Sequence, residues 1–229
     1  MKEYLPVLQK CPLFAGVLPA DIPVMLNCLG GTVREFDKKE TILAEGDPAE
    51  TVGILLSGRA QIVRVDYFGS RSILAEMGPA DMFGESYACA GVEQMPVDVM
   101  ATEDCRVLMV DCFRITHACS RACSFHQQMI YNLLQTVAAK NLAFHEKLEI
   151  LAQRTTREKL MAYLTMEAKK QGTSSFEIPF DRQELADYLE VDRSGLSAEI
   201  GKLRREGTLE SEKNRFTLLP GCENYPGIS

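Results

Sequence analysis

The stretch Asp181–Gly207, DRQELADYLEVDRSGLSAEIGKLRREG, decides how this chain is read. Asp181 stands at an N-cap position ahead of the helical run RQELADYL, and Asp192 does the same ahead of RSGLSAEIGKLRREG. A carboxylate there accepts from the first backbone N–H groups of a helix, which have no partner inside it. Glu190-Val191-Asp192 leaves room only for a turn, and Gly207 closes the second helix. Leu185, Ala186 and Leu189 fall on the inward face of the first helix, Val191 plugs the turn, and Leu196, Ile200 and Leu203 form the apolar stripe of the second. The following residues, TLESEKNRFTLL, predict a two-stranded hairpin turning at Lys213-Asn214. Helix, short turn, helix and β wing make a winged helix-turn-helix, an arrangement whose second helix enters the major groove of DNA.

The outer face of that second helix carries Arg193, Ser194, Ser197, Ala198 and Lys202. An arginine at its N-terminal end can take guanine O6 and N7 together. Lys202, Arg204 and Arg205 stand where phosphates would be met, which sets affinity more than sequence choice. The chain is acidic overall, with a formal net charge of −7, but the excess acid lies before residue 151. Arg193, Lys202, Arg204, Arg205, Lys213 and Arg215 fall within 23 residues, and a local basic face is what phosphate binding requires. The alternatives are a solvated helix face, or a winged helix that contacts protein.

Upstream, Thr155 with Glu158 three residues on makes a capping-box pattern for a helix closed by Gly172, followed by an extended SFEIPF. From Ser120 to Leu151 there is neither Gly nor Pro. Apolar and seam positions recur at Ile130, Leu134, Val137, Asn141, Phe144, Leu148 and Leu151, alternating steps of four and three. That is a coiled-coil seam, and with Leu134 at an a position Asn141 is the next a, a polar residue that fixes a parallel, in-register dimer. The alternative is one long helix whose stripe packs on its own neighbouring domain.

From Thr32 to Ile115 the pattern is short apolar or alternating runs such as TVGILLSG, RAQIVRVDYFGS and CRVLMVD, punctuated by Gly46, Gly58, Gly69, Gly78 and Gly84. Short strands at that spacing predict a β-sandwich or barrel, with a tight hairpin over Leu55–Ile62. Residues 1–30 predict short helices packed on it. The expected fold is therefore α+β: a jelly-roll barrel over 1–118, a dimerisation helix over 119–152, a winged helix-turn-helix over 153–219 and a Gly/Pro-rich tail over 220–229.

Hydrophobic residues at 46% and charged residues at 25% fit a soluble globular protein. No apolar run approaches the roughly 20 residues of a membrane span. The N-terminal MKEYLPVLQKCPLF lacks the apolar core of a secretory signal, so the expected location is the cytoplasm. The eight cysteines show no CxxC and no even spacing, which reads as reduced, mostly buried thiols. All three histidines (117, 126 and 145) lie outside the β region, and GxSxG, HExxH and P-loop motifs are absent, so no enzyme, no cofactor and no metal are expected.

In the order of its parts the chain resembles the cyclic-AMP receptor protein/fumarate-nitrate regulator (Crp/Fnr) family of bacterial transcription factors. Three stretches carry the likeness: GPADMFGE (Gly78–Glu85), similar to the lead into that family's phosphate-binding cassette; KNLAF (Lys140–Phe144), similar to its dimer helix; and DRQELADYLEVDRSGLSAEIGKLRREG, the most specific of the three. The resemblance implies a cyclic-nucleotide-binding-like barrel, a homodimer on a palindromic operator in double-stranded DNA, RNA polymerase as a partner, and a small effector that repositions the two DNA heads.

Two departures qualify what the resemblance implies. Cyclic-nucleotide binders of the family place an Arg and a small hydroxyl residue some ten positions after the Gly-Glu pair, whereas Val92-Glu93-Gln94-Met95-Pro96-Val97 holds no basic residue. Gly84, Glu85 and Ser86 offer N–H groups and a carboxylate, but burying a phosphodiester without a counter-charge is costly. The expected effector is therefore not cyclic AMP but something less charged, held near Gly84, Glu85, Ser86, Met95 and the helix residues Gln135 and Thr136. In addition, Ala198 stands where the family's recognition helix often has Arg, so a different operator is expected. Two rival readings remain: a metal- or thiol-based redox sensor, on His117, Cys119, Cys123 and His126 within ten residues, and a DNA-binding protein that responds to no effector.

Overall fold

Strands appear where apolar residues alternate, and they are nearly all apolar where both faces are covered. In the computed structural model, which describes residues 2–117 and 124–219, the described residues fall into two units that meet in sequence between Leu142 and Ala143. The first begins with the short helices α1 (Leu5–Leu8) and α2 (Ile22–Leu29). Eight strands follow: β1 (Thr32–Phe36), β2 (Thr41–Leu43), β3 (Thr51–Ser57), β4 (Ala60–Val65), β5 (Arg71–Met77), β6 (Met82–Phe83), β7 (Asp98–Ala101) and β8 (Cys105–Asp111). Helix α3 (Glu85–Ala90) lies between β6 and β7, and α4 (Cys112–Thr116) follows β8. The strands form two four-stranded sheets, ordered β1-β8-β3-β6 and β2-β7-β4-β5, with antiparallel pairings throughout. This is the expected jelly roll.

Strand β3 shows why its sequence is almost continuously apolar. Val52, Ile54 and Leu56 join Leu8, Leu13, Phe14, Leu26 and Leu29 in a core beneath the N-terminal helices, while Leu55 joins Ile42, Val99, Val107 and Phe83 in the core between the sheets. Both faces are covered, so no polar face is left to alternate. The residue between them must be glycine, because a Cβ at Gly53 would stand 2.1 Å from the Phe83 ring.

The expected hairpin over Leu55–Ile62 is not one. Strand β3 pairs with β6 and β8 in one sheet and β4 with β5 and β7 in the other, so Gly58-Arg59 carries the chain between sheets. Gly58 has φ +82°, and a Cβ there would meet the Asp104 carbonyl at 2.3 Å. A Gly-containing link between two apolar runs gives the same local signal for a crossing as for a hairpin. The true hairpin joins β4 to β5, where the Asp66 carboxylate accepts from the N–H groups of Phe68 and Ser70.

Helix α5 (Ser124–Leu151) begins in the first unit and ends in the second. In the second unit α6 (Thr156–Gln171), strand β9 (Ser175–Glu177), α7 (Arg182–Leu189), α8 (Arg193–Arg205), β10 (Leu209–Glu212) and β11 (Arg215–Leu218) follow. Thr155 and Asp181 each form a full capping box, with Glu158 and Glu184. The extended SFE segment pairs with β11, so the wing is a three-stranded sheet, β10-β11-β9, rather than a two-stranded one. Leu185, Ala186, Leu189, Leu196, Ile200 and Leu203 are buried together with Leu160, Leu164 and Phe216. The tail over 220–229 lies outside the described residues.

Candidate nucleic-acid interface and effector site

Helix α8 buries Leu196, Ile200 and Leu203, and this fixes which way its other residues point. Arg193, Ser194, Ser197, Ala198, Lys202, Arg204 and Arg205 are all exposed. The N-terminus of α8 is held by Asp192, whose carboxylate accepts from the Ser194 N–H and from the Ser194 hydroxyl, both at 2.9 Å. These bonds draw the Asp192 carboxyl below its ordinary range. They also occupy the Ser194 hydroxyl proton, so the exposed Ser194 is tied to its cap. Arg204 and Arg205 line one open concave surface with Arg215, Glu210 and Glu212 of the wing.

Acids temper this face. Lys202 Nζ lies 3.3 Å from Glu199 Oε2, and Arg157 of α6 reaches Glu199 at 3.4 Å and pairs with Glu206. The Arg157 bond draws the Glu206 carboxyl down.

In the first unit Gly84 has φ +82°, and a Cβ there would stand 2.5 Å from the Thr51 carbonyl, so only glycine turns the chain from β6 into α3. The turn places Glu85, 1% exposed, at the first position of α3. Its Oε1 is 2.7 Å from Lys140 Nζ and accepts from the exposed Ser86 hydroxyl at 3.2 Å; its Oε2 is buried with no hydrogen-bond partner. Lys140 also donates to the Met82 carbonyl. A counter-charge is thus present, but it comes from α5, 55 positions along the chain, and it is already matched by Glu85. Spacing near Gly84 could not have found it.

The remaining expected effector residues are dispersed. Met95 is buried in the core between the sheets, and its backbone bonds Gly46 and Asp47. Thr136 is buried and donates to the Asn132 carbonyl of its own helix. Gln135 is exposed and donates to the Tyr131 hydroxyl. A barrel-facing stripe of α5 that the sequence did not reveal holds Met129, Asn132, Leu133, Thr136 and Lys140, with the Asn132 amide donating to the Leu13 and Ala15 carbonyls.

A second stripe on the same helix is bare. Ile130, Leu134, Asn141, Phe144 and Leu148 are exposed, Leu134 at 66%, whereas Val137 is half-buried against the core below the N-terminal helices. Of the residues that suggested a metal, Cys119 and Cys123 lie outside the described residues. His126 is buried against the Arg114 carbonyl, and His117 stacks on Phe113 at 3.7 Å.

Residues 33–121 match the family model of the cyclic nucleotide-binding domain, and residues 158–220 match that of the Crp-like helix-turn-helix domain. The chain is 24% identical over 198 residues to the transcriptional activator protein FnrL of Cereibacter sphaeroides, covering 81% of this chain and 75% of that one. It is 35% identical over 79 residues to the CRP-like cAMP-activated global transcriptional regulator of Mycobacterium tuberculosis, 34% of each chain. Among solved structures, the c-di-GMP responsive global regulator CLP of Xanthomonas campestris superposes with a TM-score of 0.71 at 17% identity, covering 86% of this chain and 98% of that one. No helix among the described residues is long and apolar enough to cross a membrane.

Proposed function

The chain belongs to the Crp/Fnr family of transcription regulators, and on that premise we propose that it acts as a homodimer on a palindromic operator, under the control of a small effector other than cyclic AMP. The observation that carries the DNA reading is the outward face of α8, where Arg193, Ser197 and Ala198 stand exposed opposite the buried Leu196, Ile200 and Leu203. Arg193 reads a guanine edge, and Lys202, Arg204 and Arg205 hold phosphates. Two such helices related by two-fold symmetry demand half-sites about one helical turn apart, roughly 34–36 Å. The exposed stripe Ile130, Leu134, Asn141, Phe144 and Leu148 is the seam between copies. RNA polymerase is the partner through which such a regulator acts.

The effector reading rests on Glu85. Its carboxylate already holds Lys140, and the stretch 92–97 supplies no further cation, so a phosphodiester would enter without a charge of its own to meet. The buried, partnerless Oε2 favours a ligand with a hydrogen-bond donor. Effector binding at α3 bears on α5 through Lys140 and shifts the population of DNA-competent dimers.

Two measurements test this reading. Fluorescence anisotropy with palindromic duplexes of varied half-site spacing, alongside sedimentation, should give a dimer that prefers one spacing; a monomer indifferent to symmetry overturns the scheme. Thermal unfolding with cyclic AMP and cyclic GMP up to about a millimolar should show no shift, whereas a tight ligand at 100 times its Kd adds about 2.7 kcal/mol.

A further inference from the structure

Two thiols of the sensor unit meet across α3 and α4. Cys89 Sγ lies 3.7 Å from Cys112 Sγ, and the two residues are 23 positions apart in sequence. Their settings differ. Cys112 is the first residue of α4, nearly fully buried in the core beneath the N-terminal helices, and that helix is fixed by the Asp111 carboxylate accepting from Phe113 N–H. Cys89 is exposed and sits one residue from the end of the six-residue helix α3, where Gly91 closes it. One sulfur is held in place, and the other is open to solvent on a short element.

We propose that Cys89 and Cys112 are a dithiol–disulfide pair, closed by a hydroperoxide and reopened by a thiol reductant. Van der Waals contact between two sulfurs leaves less than 2 Å to close to the roughly 2.05 Å of a disulfide, a movement within reach of side-chain rotation and a small shift of α3. Cys89, the accessible sulfur, attacks the peroxide: an S–O bond forms, the O–O bond breaks, and the departing oxygen leaves as alcohol with the thiol's proton. Cys112 then displaces the hydroxyl oxygen retained on the Cys89 sulfenic acid. The S–S bond forms, the S–O bond breaks, and hydroxide leaves as water with the Cys112 proton. Each thiol gives up one electron, and the peroxide takes both. Cys112, nearly fully buried, is shielded from the oxidant and so serves to resolve rather than to initiate; burial pushes its thiol up to about 12, with Cys89 and Asp111 adding to it, which makes the second step the slower one.

The bond would tie α3, whose first residue is the buried Glu85, to α4, and so restrict the element that presents the carboxylate. The pairing of the thiols stands independently of any DNA-binding role. The other described cysteines, Cys11, Cys28 and Cys105, take no part in the contact.

The test uses the full chain, reduced and then treated with hydrogen peroxide, alkylated and mapped by mass spectrometry without reduction. The expected result is a peptide pair joined through Cys89 and Cys112, the loss of two titratable thiols, and full reversal by dithiothreitol. In Cys89→Ser, an exposed site where folding is retained, the joined peptides vanish. In Cys112→Ser, a dimedone adduct builds up on Cys89. The proposal is overturned if Cys89 goes to sulfinic acid in the parent chain without a Cys89–Cys112 link, if it stays unmodified, or if it links to any other cysteine.

Discussion

Lys140 Nζ stands 2.7 Å from Glu85 Oε1, joining the long helix α5 to the first residue of α3 through a carboxylate that is 1% exposed. Removing the ammonium leaves a buried charge unmatched, which is costly, whereas removing both partners is much less so. Lys140→Met should lower the first unit's stability by about 2 kcal/mol, the usual penalty reduced because Lys140 is partly exposed. The double variant Lys140→Met/Glu85→Gln should recover most of that loss. Urea unfolding of the four chains of this cycle gives the coupling, and strict additivity would show that the pair carries no net interaction.

On the recognition helix, Glu199 holds Lys202 at 3.3 Å and Arg157 at 3.4 Å. Glu199→Gln releases Lys202, leaves Arg157 on Glu206, and removes one acid from the proposed DNA-facing surface. DNA affinity should rise about threefold to tenfold at moderate salt, with a salt slope steeper by up to about one unit. Arg193→Ala should instead relax discrimination at one base pair of each half-site, by about 1–3 kcal/mol. Anisotropy titrations over a salt series separate the two effects. Equal weakening of matched and mismatched DNA by Arg193→Ala would take away its reading role.

Along α5, Leu134, Phe144 and Leu148 are more than half exposed, while Val137 packs inward. Covering each large side chain is worth about 1.5–3 kcal/mol, enough for a few of them to hold two copies together. Leu134→Glu and Leu148→Glu should each shift the chain from dimer to monomer in sedimentation at micromolar concentration. Val137→Ala should reduce thermal stability and leave the assembly intact. The opposite assignment, with Val137→Ala breaking the dimer and Leu134→Glu neutral, would place the seam elsewhere.

What the sequence made legible were features that are local along the chain. The caps at Asp181, Asp192 and Thr155, the buried stripe of α8 and the run of short strands all follow from spacing within a few residues. The heptad alternation also marked Leu134, Phe144 and Leu148 as a coherent set. Features made by the chain returning on itself were not legible: the Glu85–Lys140 pair, the Arg157–Glu199 contact, the meeting of Cys89 and Cys112, and the sheet to which β4 belongs. Met95 shows the same limit among the expected effector residues. Its distance from Gly84 in sequence suggested a ligand contact, while the loop between α3 and β7, bonded to Gly46 and Asp47, buries its side chain in the core.

Lys147 supplies a pH test within the second unit. Its ammonium lies 4.0 Å from the centroid of the Tyr188 ring and is nearly buried. Burial lowers its pKa from 10.5 to about 8, with Glu190 pulling weakly the other way. Unfolding restores the ordinary value, so between about pH 8 and 10.5 the unfolded chain binds the extra proton and stability rises with pH; below pH 8 the cost of holding the ammonium is felt in full. Tyr188 has the opposite sign. Burial, with Glu167 and Glu146, pushes its phenol up to about 12, so stability falls as pH climbs above 10, where the unfolded phenol ionises. Lys147→Met removes the first dependence and keeps the second. The stability of the variant relative to the parent should therefore fall between pH 8 and 10, by up to about 3 kcal/mol over the whole window to 10.5. Denaturant unfolding of both chains at pH 7, 8, 9 and 10 measures it, and a difference that stays constant across the series would mean that Lys147 keeps its proton in the folded protein.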